Sequence, residues 1–81
     1  MRVLYCHRLT DSKARDCVAS VDFELNEHIR IYALRLIRQP DGSFFLYAPT
    51  AGTRRTATFS KPMAERLTAL AVAAYEAAND R

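Results

Sequence analysis

The sequence has no apolar run near the ~20 residues that a membrane-spanning helix needs, so a helical span is excluded from these 81 residues. The opening stretch "MRVLYCHRL" holds basic residues but neither a sustained apolar segment nor a small-residue cleavage site. No secretory leader is expected from it, and the chain reads as cytoplasmic. Cysteine is scarce: Cys6 and Cys17 stand alone, without the short Cys-x-x-Cys spacing of zinc modules. In a reducing compartment both remain thiols. A hairpin would let them meet as a disulfide, and two small apolar side chains in a core account for them as well.

Histidine is equally sparse, with only His7 and His28. His7 follows Cys6 directly, so in a strand the two side chains leave opposite faces. His28 falls at a turn. No nucleophile stands beside a base and an orienting acid, so neither an enzyme nor a metal site is expected, and no cofactor or small-molecule substrate. The two glycines, in "PDGSF" and "TAGT", do not build a phosphate loop of the strand, glycine loop, Lys, Ser/Thr kind. Internal repeats and biased tracts are missing too. Residues 1–81 therefore form a single domain.

A domain this short buries only ~60–65% of the surface of its unfolded chain and is marginally stable alone. Association into a homodimer is the expected remedy.

Charge is present but unevenly placed. The net value is +3. Residues 1–27 hold four basic and five acidic side chains, and residues 63–81 hold two and three. Between them stand Arg30, Arg35, Arg38, Arg54, Arg55 and Lys61 against Asp41 alone, giving −1, +5 and −1 in sequence order. Such a concentration implies a basic patch, unless strand alternation scatters the arginines over both faces of a sheet.

"VLYCHRL", residues 3–9, is β-branched and aromatic and predicts a strand; the polar "TDSKARD", residues 10–16, predicts a turn or loop. Cys17, Ala19, Val21, Phe23 and Leu25 then alternate with Ser20, Asp22, Glu24 and Asn26, the period of a half-buried antiparallel strand. Asp22 and Glu24 share its polar side, where a solvated face accounts for them more simply than acid–base chemistry. "LNEHI" predicts a turn, with Asn26 suited to a left-handed backbone. Beyond it Ile29 and Ile31 resume the alternation, and the phase slips at Tyr32, Leu34 and Leu36. Either a bulge near Tyr32-Ala33 or a strand buried on both faces follows.

"RQPDGS" is a turn, "FFLYAP" a strand stopped by Pro49, "TAGTRRT" a loop bending at Gly52, and "TATF" a short fifth strand. Phe44, Phe45 and Tyr47 share one strand, and the two on a common face read as core rather than as a base-stacking platform. No basic motif of the RNA-recognition type accompanies them. Ser60 is a good N-cap, Pro62 suits a first turn, and Phe59 can staple onto it. Met63, Leu67, Leu70, Ala71, Ala74, Tyr75 and Ala78 trace one helical face. Residues 79–81 read as a frayed end. The fold class is therefore α+β: an antiparallel sheet of four to five strands, followed by one C-terminal helix packed on one face. A single helix leaves the other face solvated or covered by another molecule.

Ala19-Ser20, Leu34-Arg35-Leu36-Ile37, Gly42, Phe45, Pro49, Pro62 and Val72 to Tyr75 occur in an order that resembles the stage V sporulation protein G family, the small septation regulators. The resemblance runs from about Val3 to Ala77. It implies a small homodimer that binds DNA, and in some cases RNA, as a regulator. The family carries a Ser-Lys-Arg-Thr-Pro stretch directly after the proline. Here "PTAGTRRT" places Ala51-Gly52 there and delays the basic pair to Arg54-Arg55 in a shorter loop. The loop's role carries over in kind only.

The expected function is thus a dimeric nucleic-acid-binding regulator. Arg54 and Arg55 would contact phosphates, Lys61 near the helix start would add to them, and Arg35 matches its motif position while serving equally well as a structural residue. Arginine suits such contacts because its planar fork grips phosphate at two points. The alternative is a protein-interaction or assembly module with no nucleic-acid binding, using the uncovered sheet face and the sheet edges.

Overall fold

The computed structural model describes residues 1–9 and 16–79. Residues 10–15 of the loop read over 10–16 and residues 80–81 of the end read over 79–81 lie outside the described residues, as does the burial of Ala78, while Asn79 is the last residue of the helix. Four strands, β1 (Arg2–Arg8), β2 (Cys17–Glu24), β3 (Arg30–Arg38) and β4 (Phe44–Tyr47), form an antiparallel sheet in chain order. A second, two-stranded ladder joins β5 (Thr50–Ala51) to β6 (Arg54–Arg55), and the helix α1 (Lys61–Asn79) follows. The helix packs on one sheet face, meeting β1, β3 and β4. This is the α+β arrangement expected from the order of patterns.

The core lies between sheet and helix. Ala19, Val21 and Phe23 of β2, Leu34 and Leu36 of β3, and Leu46 of β4 are buried against Leu67, Ala71 and Tyr75 of α1. All the buried side chains among the described residues are apolar apart from the tyrosine hydroxyl. The alternation in β2 dictates this: residues at i and i+2 share a face, so a single helix can cover all three. Ala19 and Ala71 leave room for the larger rings and leucines between the layers.

The phase slip in β3 is a bulge. Val21 pairs with Leu34 and Phe23 with Ile31, so Tyr32 and Ala33 together stand where the pleat allots one residue. Ala33 takes a left-handed backbone, φ 62°, and is the one non-glycine residue to do so among those described. Its N–H donates to the Asp22 carboxylate at 2.8 Å. The extra residue returns Leu34 and Leu36 to the core and leaves Tyr32 and Arg35 exposed. The strand is therefore not buried on both faces.

Turn chemistry sets the neighbouring registers. Asn26 does not adopt the left-handed backbone expected of it. Its Oδ1 instead accepts the N–H groups of His28 and Ile29, at 2.7 and 3.0 Å, and closes the turn through the side chain. Between β3 and β4 the Gly42 N–H reaches the Gln39 carbonyl, and the Asp41 carboxylate accepts both the N–H and the hydroxyl of Ser43. Gly42, at φ 90°, supplies the left-handed step that a three-residue hairpin loop requires.

"TATF" does not form the fifth strand expected over residues 56–59. The ladder forms two residues earlier, where Ala51 pairs with Arg54 and Thr50 with Arg55 around Gly52-Thr53. Gly52, at φ 65°, occupies the first position of that two-residue loop, where a hairpin turn calls for a positive φ. The chain then leaves the ladder. The Thr56 hydroxyl donates to the Pro49 carbonyl, Phe59 tucks against the core, and Ser60 caps the helix. The Ser60 carbonyl accepts the Ala64 N–H at 2.8 Å, the first bond of the helix.

Among the described residues no helix is long and apolar enough to cross a membrane. Cys6 and Cys17 are free and half-buried, and Cys6 lies opposite Val21 rather than Cys17. Burial pushes the Cys6 thiol above its ordinary value, with Arg8 opposing.

Candidate functional site

The sheet face opposite the helix is open, and its composition follows from the registers. His7 of β1 pairs with Ser20 of β2, Ser20 with Arg35 of β3, and Arg35 with Tyr47 of β4. These four side chains form one row across the sheet. In an antiparallel sheet directly paired residues leave the same face, and Arg35 lies between the core residues Leu34 and Leu36. His7, Arg35 and Tyr47 are exposed.

Aromatic rings extend the row at both ends. Tyr5 stacks on His7 with ring centroids 6.1 Å apart and planes within 21°. Phe45 sits 4.9 Å from Tyr47. Phe44, by contrast, turns to the helix side and meets Tyr75 at 5.9 Å. The pair sharing a face in β4 is thus Phe45 and Tyr47, on the open side, so the core reading of that pair does not hold, and it is Phe44 that packs against the core. The signal was present in the sequence: Phe44 and Leu46 alternate with Phe45 and Tyr47, and one helix can cover only one of the two sets.

Next to Tyr47 the face runs into a cleft of about 280 Å³. Arg35, Phe45, Tyr47, Pro49, Arg55 and Phe59 are among its lining residues. The β5–β6 hairpin brings Arg55 to it. Arg54, adjacent in the same strand, leaves the opposite side and does not line the cleft, because successive strand side chains alternate. Lys61, the first residue of α1, is exposed and also stands outside the lining. Of the four basic residues expected to act together, the fold therefore gathers Arg35 and Arg55 at one site and sets Arg54 and Lys61 apart from it.

The remaining arginines of the basic middle third are engaged elsewhere. Arg30 and Arg2 both donate to Glu24, at 3.2 and 3.1 Å, and these hydrogen bonds hold the Glu24 carboxyl below its ordinary range. Arg38 lies over the Phe44 ring, 5.3 Å from its centre, on the helix side. Alternation thus does scatter the arginines over both faces, yet it leaves a local pair. None of Arg35, Arg54, Arg55 and Lys61 forms an ion pair among the described residues. Asp22 and Glu24 lie on the open face towards the β2–β3 turn, and the row through Arg35 contains no acid.

Comparison with known proteins yields no match. No family model, no curated protein and no solved structure matches this chain.

Proposed function

We propose that the protein is a small, dimeric, cytoplasmic nucleic-acid-binding regulator, in keeping with its resemblance to the stage V sporulation protein G family. The observation that carries this reading is the pairing of Arg35 with Arg55 at one cleft, with no carboxylate among its lining residues. Two guanidinium groups without a counter-ion among the described residues would hold a diester phosphate through charge-assisted, two-point hydrogen bonds. Arg54 and Lys61 add contacts on either side of the hairpin. Phosphate contacts of this kind supply affinity without reading sequence. A two-fold dimer doubles the patch, and self-association offsets the small core of an 81-residue chain.

The test is a binding titration of labelled DNA and RNA oligonucleotides across a salt series, with wild type and the Arg35→Ala/Arg55→Ala double variant. The double variant is expected to bind more weakly and with a shallower dependence of affinity on salt. Unchanged affinity and slope would overturn the assignment of phosphate binding to this pair.

A second reading is supported by the exposed Leu4, Tyr5, Ile29 and Tyr32 near the β2–β3 turn and the β1 edge. These would suit a protein-interaction module that binds no nucleic acid. A partner retained on the protein after nuclease treatment of a lysate, together with no oligonucleotide binding, favours that reading.

A further inference from the structure

The phosphate contact proposed above leaves the open sheet face unexplained. Tyr5, with 60% of its surface accessible, and Tyr47, with 42%, expose large rings to solvent, at the cost of hydrating apolar surface. Each has an aromatic companion on the same face, His7 and Phe45 respectively. Between the two aromatic pairs lies Arg35, and beyond Tyr47 lies Arg55. Ring, cation, ring, cation is therefore the order met in crossing from β1 to the hairpin.

We propose that this face is a base-stacking platform for single-stranded nucleic acid, the strand crossing β1 to β4 along the row His7, Ser20, Arg35 and Tyr47. The inference rests on the reading of the protein as a nucleic-acid binder and adds the strandedness of the ligand and the surface that holds its bases.

Three features of the face select this occupant. First, an exposed ring can stack only on a base whose face is free, and in a duplex those faces are already stacked on one another. Single strands offer them, and aromatic platforms on four-stranded sheets hold two or three such bases. The row spans three inter-strand spacings, about 14 Å, which is room for that number. Secondly, the charge fits a narrow ligand. A duplex presents one phosphate charge per ~1.7 Å of axis over a broad surface. Here the Asp22 carboxylate lies beside the row on the same face, next to Tyr5, and opposes such a surface. A single strand following the acid-free row meets Arg35 and then Arg55. Thirdly, the one helix among the described residues, α1, lies behind the sheet and so cannot enter a groove from this face.

A second copy of the chain fits the face less well. It would bring Arg35 and Arg55 again, while Glu24 is already shared between Arg2 and Arg30 and Asp22 is bonded to Ala33.

The experiment compares binding of a labelled oligo-dT, an oligo-U and a mixed-sequence duplex by wild type, Tyr47→Leu, Tyr47→Phe, Tyr5→Leu and the Arg35→Ala/Arg55→Ala double variant. Thermal melts check folding, and the exposure of Tyr5 and Tyr47 makes retention of the fold the expected result. Wild type is expected to prefer the single strands. Loss of one stacking ring should weaken single-strand binding about five- to 150-fold with the salt slope unchanged, and Tyr47→Phe should restore it. The arginine double variant should instead flatten the slope. Ring variants that bind single strands like wild type, while the arginine variant fails, would overturn the platform and leave the phosphate reading standing. Equal or tighter binding of duplex would also overturn it. Loss of dimerisation in Tyr47→Leu, with oligonucleotide binding intact, would assign the face to a second copy and overturn the platform. No binding of any oligonucleotide by wild type would overturn the platform together with the phosphate reading.

Discussion

The Asp22 carboxylate accepts the backbone N–H of Ala33 at 2.8 Å, across the bulge that realigns β3. An alanine at φ 62° is sterically disfavoured, by ~1–2 kcal/mol relative to a right-handed backbone. The bond to Asp22 satisfies the N–H that the bulge removes from the ladder. Ala33→Gly relieves the clash and is expected to raise stability by about 0.5–1 kcal/mol, after the extra entropy that glycine loses on folding. Asp22→Ala should cost about 0.5–1 kcal/mol, the net worth of an exposed hydrogen bond whose N–H water can then reach. Urea unfolding monitored by circular dichroism checks both signs, and equal stability of Ala33→Gly and wild type would contradict the first.

The shared carboxylate of Glu24 makes stability depend on acid. Hydrogen bonds from Arg2 and Arg30 hold its folded value below the ordinary 4.5. A carboxylate depressed in the folded state contributes stability that is complete above its unfolded value and is lost as pH falls through the lower folded one. The contribution of Glu24 is thus expected to fade on acidification below about pH 4.5. Asp41, held down by the hydroxyl and N–H of Ser43, acts in the same direction. In an NMR titration, Arg2→Ala/Arg30→Ala should raise the Glu24 midpoint and leave that of Asp41 in place.

Thr68 joins the outer edge of the sheet to the helix: its hydroxyl accepts the Leu46 N–H at 3.1 Å. Leu46 is buried, so the N–H has no ready replacement in water. Thr68→Val keeps the shape and removes the acceptor, with an expected loss of about 1–3 kcal/mol. Amide hydrogen exchange should show the Leu46 N–H losing protection more than its neighbours in β4.

Leu67 is fully buried in the core between the helix and the sheet. Leu67→Ala should cost about 2–5 kcal/mol. A chain of 81 residues has a stability on the order of 4–12 kcal/mol, so this one change removes a large share and a marked drop in thermal midpoint is expected.

Arg54 and Arg55 are neighbours in sequence but should behave differently in binding. Arg35→Ala and Arg55→Ala are expected to be non-additive, because both side chains line one cleft and would hold one phosphate. Arg54→Ala should add independently to either, and its own effect on the salt slope should be about 0.7–0.9, the value of a single phosphate contact. A double-mutant cycle by fluorescence anisotropy separates these cases.

Much of the architecture was legible in local pattern. The alternation from Cys17 to Leu25 specified one buried face, since a strand has only two. The slip between Ile31 and Leu34 marked either a bulge or a strand buried on both faces, and the pairing of Phe23 with Ile31 and Val21 with Leu34 decided for the bulge. Ser60, Pro62 and the Leu67, Ala71, Tyr75 spacing marked the start and the inner face of the helix. The same local reading failed at "TATF": threonine favours a strand, but pairing needs a partner, and Gly52 had already placed the turn two residues earlier.

The candidate site was less legible, and for a physical reason. Composition and order determined that arginines concentrate in the middle third, that one helix leaves a sheet face uncovered, and that Phe45 and Tyr47 share a face. Which face that is depends on long-range register. Each inter-strand pairing can slip by one residue and invert every side chain, and bulges in β1, β2 and β3 decide the outcome. Only the tertiary structure aligned Arg35 with His7, Ser20 and Tyr47, turned Arg55 rather than Arg54 towards it, and drew Arg2 and Arg30 away to Glu24. Sequence determined the residues available for that surface, whereas the packing of sheet on helix decided which of them meet.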